Sequence, residues 1–265
     1  MAIEPISSAL LLAAGRGTRL APLTDQWPKC LMPIHGRAIL EHWLCILSRQ
    51  GIVDVVVNVH HHHEIVKQFL AREIFRNWVS VREETALLGT AGTLQQYVQA
   101  EPSKPLLVIH ADNWCQCDFS AFVNFHQIHR PRGAQISMMT FRSDNPQSCG
   151  IVEINPEGVV VAFHEKVSSP PGNLANGAVY IFEPEALDWL RVSPRFFDIS
   201  NDVLPRFLGK IATWENTGIH RDIGTVESLK KAQLDPESHA CWTKKDSWQT
   251  YYERLEVFGL LDATQ

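Results

Sequence analysis

Two short stretches carry the clearest chemistry. Leu11-Leu-Ala-Ala-Gly15-Arg-Gly17-Thr-Arg19-Leu20 begins as an apolar run and ends in a glycine loop bearing Arg19. Pro28-Lys29-Cys-Leu-Met-Pro33 then fixes a lysine in a loop stiffened by prolines at 22, 28 and 33. Glycines let backbone N–H groups approach an anion, and Arg19 and Lys29 supply charge to neutralise it. This is a device for gripping a polyphosphate.

Two aspartates extend the pattern. Asp112 follows Leu107-Val-Ile109 and should sit at the carboxyl end of a central strand, where open α/β sheets bind ligands. Asp222 lies in His220-Arg-Asp222-Ile-Gly224-Thr. Taken singly, either acid is more often a helix cap or a solvated loop residue than a functional group. Beside Arg19 and Lys29 they form a candidate Mg²⁺ pair, since Mg²⁺ takes one or two carboxylates plus phosphate oxygens and water.

The loop is neither of the two common phosphate binders. A dinucleotide site wants G-x-G-x-x-G running into a helix, but Leu20 holds the third glycine position and Pro22 opposes a helix there. The spacing G-x-x-x-x-G-K-[ST] is also absent. The full string from Gly15 through Pro33 to Gly36 closely resembles the N-terminal signature of the sugar-phosphate nucleotidylyltransferases, also called nucleoside-diphosphate-sugar pyrophosphorylases.

The resemblance runs over roughly residues 8–232. Leu88-Gly89-Thr-Ala-Gly92 resembles the family's base loop, and Cys149-Gly150-Ile-Val-Glu153 the glycine that contacts the sugar. Phe163-His-Glu165-Lys166 resembles its Glu-Lys-Pro motif, with Val167 replacing proline. Read alone, Glu165 and Lys166 fit an ordinary surface pair equally well. Asn176-Gly177-Ala-Val-Tyr180 resembles the strand lining the sugar pocket, and His220 replaces the tryptophan of Trp-x-Asp-Ile-Gly-Thr.

Carried over by position, the resemblance implies Arg19, Lys29, Asp112 and Asp222 as catalytic residues, with Asp112 and Asp222 holding Mg²⁺. It implies Ala13, Gly15, Gly17, Thr18, Arg19, Lys29, Gly89 and Asp112 around the nucleotide, and Gly150, Glu165, Lys166 and Asn176 around the sugar phosphate. The implied fold is Rossmann-like (glycosyltransferase-A-like): a three-layer α/β/α arrangement with a mostly parallel mixed sheet and a smaller substrate-side β lobe. The implied reaction is nucleotidyl transfer from an NTP to a sugar 1-phosphate. The base loop looks most like that of guanylyltransferases acting on mannose or manno-heptose 1-phosphate. Cytidylyl, uridylyl or thymidylyl transfer, phosphocholine as acceptor, and a non-catalytic sensor on the same fold stay open.

The elements that must position these residues follow from periodicity. Ser8–Ala14, Val53–Val59, Val79–Arg82 and Leu106–His110 read as strands. Ala38–Gln50, Glu64–Ala71 and Thr93–Gln99 read as helices between them, so a mostly parallel sheet covered on both faces is expected. Ala134–Phe141, Gly150–Ile154, Val159–His164 and Ala178–Phe182 are strands without long helices between most of them, which predicts antiparallel or mixed additions. Asp198–Leu208 and Val226–Ala232 read as helical. A catalytic domain is expected over 1–235 and a helical tail over 236–265, serving either as a packed terminal helix or as an oligomer contact.

At 265 residues and 45% hydrophobic, the chain can bury one large core or two small ones. Its net charge of -5 argues against a nucleic-acid partner bound through a basic footprint. No apolar run suits a bilayer span and no leader is visible, so a cytoplasmic protein is expected. Six scattered cysteines then read as reduced thiols. The run His60-His61-His62-His63 reads as a solvated loop, since no carboxylate set of metal-binding spacing adjoins it in sequence.

Overall fold

The apolar run Ser8–Leu12 folds as strand β1 in the computed structural model, which describes residues 5–101, 104–238, 241 and 248. The first half continues as α1 (Leu23–Gln26), β2 (Pro33–Ile34), β3 (Arg37–Ala38), α2 (Ile39–Arg49), β4 (Asp54–Val59), α3 (His63–Leu70), β5 (Val79–Glu83), α4 (Gly89–Ala100) and β6 (Leu106–His110). Next come β7 (Asn113–Gln116), α5 (Phe119–Asn124), β8 (Ile136–Arg142), β9 (Gly150–Ile154), β10 (Val160–Glu165) and β11 (Leu174–Phe182). The described chain closes with α6 (Pro184–Val192), β12 (Ile211–Glu215), β13 (Ile219–Asp222) and α7 (Val226–Gln233).

The chain divides into two compact units. Of the described residues, one holds those of 5–10, 88–109 and 117–218, and the other those of 11–87, 110–116 and from 219 on. In the first, the strand order is β10-β9-β11-β6-β1, with β8 beside β11 and β12 beside β8. β11 runs antiparallel to β6, β8 and β9, and β9 to β10, while β12 runs parallel to β8. These are the mixed additions expected from the helix-poor second half.

In the second unit the order is β1-β4-β5, with β4 and β5 parallel. Four of the six residues of β4 are valines, and Val55, Val57 and Val59 are buried. α2 buries Ile39, Leu40, Trp43, Leu44 and Leu47, a stripe at helical spacing. Gly51, at φ 72°, supplies the left-handed residue that ends it. The result is the α/β class with a mixed central sheet that the sequence predicts.

Three local expectations need correction. α4 begins at Gly89, so the glycine-bearing stretch Leu88–Gly92 is the first helical turn rather than a loop ahead of it. Residues 198–208 are not one α-helix: a π-helical turn over Ile199–Val203 passes into a 3₁₀ turn over Leu204–Phe207. Pro205 has no N–H to extend the ladder. Nor are all six cysteines reduced, because Cys45 and Cys241 form a disulfide, while Cys30, Cys115, Cys117 and Cys149 form none. Ser238 Oγ meets His42 Nδ1 at 2.7 Å, which returns the chain to α2 beside Cys45 and brings the two Cα atoms to 5.5 Å. A separation of 196 residues gives no hint of this pairing. Most of the helical tail expected over 236–265 lies outside the described residues.

Candidate active site

Four predicted residues meet in the second unit. The chain leaves β1 at Leu12 and turns at Gly17, where φ is 64°. A Cβ on Gly17 would stand 2.9 Å from Thr24 Cγ2 and 3.0 Å from Lys29 Cβ, so only glycine lets the loop pack against Thr24 and Lys29. Lys29 is 7% exposed, and its Nζ donates to Asp112 Oδ2 at 2.6 Å and to Asp222 Oδ1 at 3.1 Å. Arg19 Nη2 reaches Asp222 Oδ2 at 3.2 Å.

A short ribbon explains how residues 110 positions apart in the sequence converge. β7 and β13 pair antiparallel, with Asp222 opposite Asn113 and Arg221 opposite Trp114. Asp112, one residue before β7, therefore falls beside Asp222. The ribbon is anchored from behind, since Trp43 Nε1 on α2 donates to Asn113 O at 2.8 Å. Arg221 forms a two-pronged pair with Asp235, both bonds at 2.7 Å.

Each position of Asp222-Ile223-Gly224-Thr225 has a physical task. Asp222 faces Lys29, and Ile223 is fully buried. A Cβ on Gly224 would stand 2.7 Å from Arg19 Nη2 and 2.8 Å from Asp222 Oδ2, so the missing side chain leaves room for the ion pair. Thr225 caps α7 by accepting from Ser228 N, and Ser228 Oγ accepts from Thr225 N in return. His220, in the tryptophan position, is pushed down to about 4 by burial, partly offset by Asp222.

The charges are set by mutual proximity. Burial alone would depress the Lys29 ammonium, but Asp112 and Asp222 outweigh it and hold its pKa above the ordinary lysine value. Burial would raise Asp112, yet the charges of Lys29 and His110 hold it below the usual carboxylate range. At neutral pH Lys29 and Asp112 are thus both charged. Arg19 keeps 64% of its side chain exposed, so its guanidinium fork remains accessible to an anion.

The remaining positions expected around the nucleotide divide. Ala13 N–H is already bonded to Asn58 Oδ1 at 2.7 Å, which leaves its carbonyl to offer a ligand. Gly15 has open space around it, and Thr18 opens a 3₁₀ turn that ends at Leu20. Gly89 belongs to the first unit, at the start of α4. Its neighbour Ala91 N–H donates to Phe197 O at 3.0 Å, and Thr90 Oγ1 receives Ile199 N–H at 2.8 Å. The 196–199 segment thereby fixes the helix start, a relation sequence spacing does not reveal.

The first unit also holds the residues expected on the sugar side. β9 and β10 set Gly150 opposite Glu165. A Cβ on Gly150 would stand 2.5 Å from Glu165 Oε2 and 2.6 Å from Phe163 Cζ, so this glycine makes room for the carboxylate. Glu165 pairs with Lys166 Nζ at 3.0 Å, and Lys166, at φ 49°, leaves the strand in the left-handed region. Asn176 Nδ2 donates to the buried Tyr180 hydroxyl at 2.7 Å, and its Oδ1 receives Ala178 N–H.

The histidine run is not simply solvated. His60 Nδ1 donates to Glu84 O at 2.9 Å, and His62 Nε2 to Thr24 O at 3.1 Å. His63 lies beside Glu64 and Glu83, with ligand atoms within 4.8 Å of one another, so carboxylates do adjoin it in space. Lys67 bridges Glu64 at 3.1 Å and Glu83 at 2.5 Å, so this cluster is ion-paired with a lysine, as Asp112 and Asp222 are with Lys29.

Comparison with known proteins gives the family. A family model described as nucleotidyl transferase matches residues 8–239. The chain belongs to that family. It is 30% identical over 224 residues to the mannose-1-phosphate guanyltransferase of Schizosaccharomyces pombe, covering 82% of this chain and 60% of the relative. It is 32% identical over 222 residues to the mannose-1-phosphate guanylyltransferase catalytic subunit beta of Drosophila melanogaster, covering 82% and 59%. The chain thus spans about 60% of the length of these nucleotidyl transferase relatives.

Two solved structures share the fold. One, a Bacillus anthracis protein provisionally named a glucose-1-phosphate thymidylyltransferase, superposes with a TM-score of 0.76 at 22% identity, covering 92% of this chain and 98% of the other. The second, HddC from Yersinia pseudotuberculosis complexed with GMP-PN, gives 0.71 at 22% identity, covering 86% and 99%. No helix among the described residues is long and apolar enough to cross a membrane.

Proposed function

We propose that this chain transfers a guanylyl group from GTP to a mannose- or manno-heptose-type sugar 1-phosphate, releasing pyrophosphate. The observation that carries the reading is the Lys29 ammonium bonded to both Asp112 and Asp222, with Arg19 on the far side of Asp222. The guanine and manno assignments rest on the base-loop segment Leu88–Gly92 and on relatives named for mannose 1-phosphate.

In this reading a phosphate oxygen of the sugar 1-phosphate attacks the α-phosphorus of GTP. A new P–O bond forms, the α–β bridging bond breaks, and its electron pair leaves with pyrophosphate. A phosphate monoester is largely ionised near pH 7, so the chain needs no general base. Catalysis is then positioning and charge stabilisation. Arg19 grips the β- and γ-phosphates. Lys29 has three N–H donors and spends two on the aspartates, which leaves one for a phosphate oxygen. Gly150, Glu165, Lys166 and Asn176 hold the sugar 1-phosphate.

The donor set suits Mg²⁺. Asp112 and Asp222 each place a hard carboxylate oxygen within bonding distance of one cationic nitrogen, so the pair converges on a single charge. Bound there, Mg²⁺ would neutralise charge on the phosphates of both substrates. The proposed partners are small molecules, with no nucleic acid, and the proposed compartment is the cytoplasm. Mixing GTP, Mg²⁺ and mannose 1-phosphate with the purified chain should release pyrophosphate and form GDP-mannose. Absence of both products would refute the reading.

A further inference from the structure

Asn58 is the one amide in the apolar strand β4, and it is 2% exposed. A buried carboxamide must spend both ends on partners. Its Oδ1 accepts from Ala13 N–H at 2.7 Å, where the chain leaves β1 for the glycine loop. Its Nδ2 donates to Glu84 Oε1 at 2.8 Å, and Glu84 is itself 4% exposed. The carboxylate accepts only, so it compels the amide to point its N–H₂ toward Glu84 and its oxygen toward Ala13. His60 holds Glu84 in turn through its carbonyl.

The other limb of the loop is held from the same segment. His62 donates to Thr24 O, and Thr24 Oγ1 donates to Gly17 O at 2.9 Å. Gly17 rests on both Thr24 and Lys29. His62 sits at φ 53°, a conformation that costs a non-glycine residue energy and persists only where surroundings impose it. That backbone turn delivers the ring to Thr24.

We infer that Asn58, oriented by Glu84, and His62 are positioning residues: they clamp the two limbs of the glycine loop so that its N–H groups and Lys29 present one preformed triphosphate cradle. The inference rests on the triphosphate reading of that loop. It gives the histidine run, which the sequence reads as a solvated loop, a mechanical role.

The test compares wild type with Asn58→Ala, His62→Ala and His62→Gly. Equilibrium binding of Mg²⁺·GTP is measured by calorimetry, and KM for each substrate from pyrophosphate release. Losing one neutral hydrogen bond from a preformed cradle should weaken GTP about three- to tenfold. KM for the sugar 1-phosphate should move less than twofold. His62→Gly matters most, because it removes the ring while relieving the left-handed backbone. It should weaken GTP as His62→Ala does, whatever it does to the melting temperature. GTP affinity unchanged in His62→Gly and Asn58→Ala, or both substrates weakened alike, would overturn the clamp. If wild type binds GTP without releasing pyrophosphate, the transferase reading fails and the binding arm still judges the clamp. If wild type binds no triphosphate, the reading of the loop and the clamp fall together.

Discussion

Asp222 stands directly across the β7–β13 ribbon from Asn113, and this register places its carboxylate beside that of Asp112 on the same lysine. A two-residue slip would carry Asp222 away from Lys29. The cluster therefore depends on a four-residue pairing as much as on the four charged side chains.

Asp112→Asn and Asp222→Asn should each lower kcat by about two orders of magnitude or more, since a metal's charge stabilisation is worth several kcal/mol. The melting temperature should move little, because the remaining aspartate still faces Lys29. Full turnover in either variant at millimolar Mg²⁺ would remove that residue from the mechanism.

Gly224→Ala should fold, since its added Cβ meets the flexible ends of Arg19 and Asp222 rather than backbone. It should push the Arg19 guanidinium out of place and raise KM for GTP about tenfold, the effect of one lost charge-assisted hydrogen bond. Unchanged GTP kinetics would show that Arg19 does not hold the triphosphate from this position.

Lys29 and Lys166 belong to different units and should meet different phosphates. Lys29→Ala should mainly lower kcat, because charge builds on the transferring and leaving phosphates. Lys166→Ala should mainly raise KM for the sugar 1-phosphate, by roughly tenfold or more. If Lys166→Ala weakened only GTP, the Glu165-Lys166 pair would belong to the nucleotide side.

Stability should fall between pH 6.5 and 4. Burial pushes His42 down to about 4, and the ring stays neutral between Ile34 O and Ser238 Oγ. Below pH 6.5 the unfolded chain binds a proton that folded His42 refuses until about pH 4, so its contribution is present above 6.5 and lost across that window. The shift corresponds to on the order of 3 kcal/mol. His220, pushed down to about 4, acts in the same direction. Melting scans of wild type and His42→Gln against pH should show a shallower decline in the variant. Parallel curves would contradict a role for His42.

Much of this was legible in the sequence for identifiable reasons. The glycine loop, Lys29 and Asp112 lie within or next to strands whose apolar runs are unambiguous. Asp222 was legible as a motif, but its placement was not, because the ribbon that delivers it is too short to show a period. Asn58 carried a signal, a lone amide in Val-Val-Val-Asn-Val, whereas nothing local marks Glu84 as its partner. Cys45–Cys241 was hidden for the same reason: pairing across 196 residues is decided by how the chain returns to α2.

The most direct measurement is kcat/KM for GTP, CTP, UTP, dTTP and ATP, each with mannose 1-phosphate and Mg²⁺, read as pyrophosphate release. GTP should lead every other triphosphate by at least tenfold. A tenfold preference for dTTP or UTP would contradict the guanylyl assignment, and no release with any triphosphate would contradict nucleotidyl transfer to this acceptor.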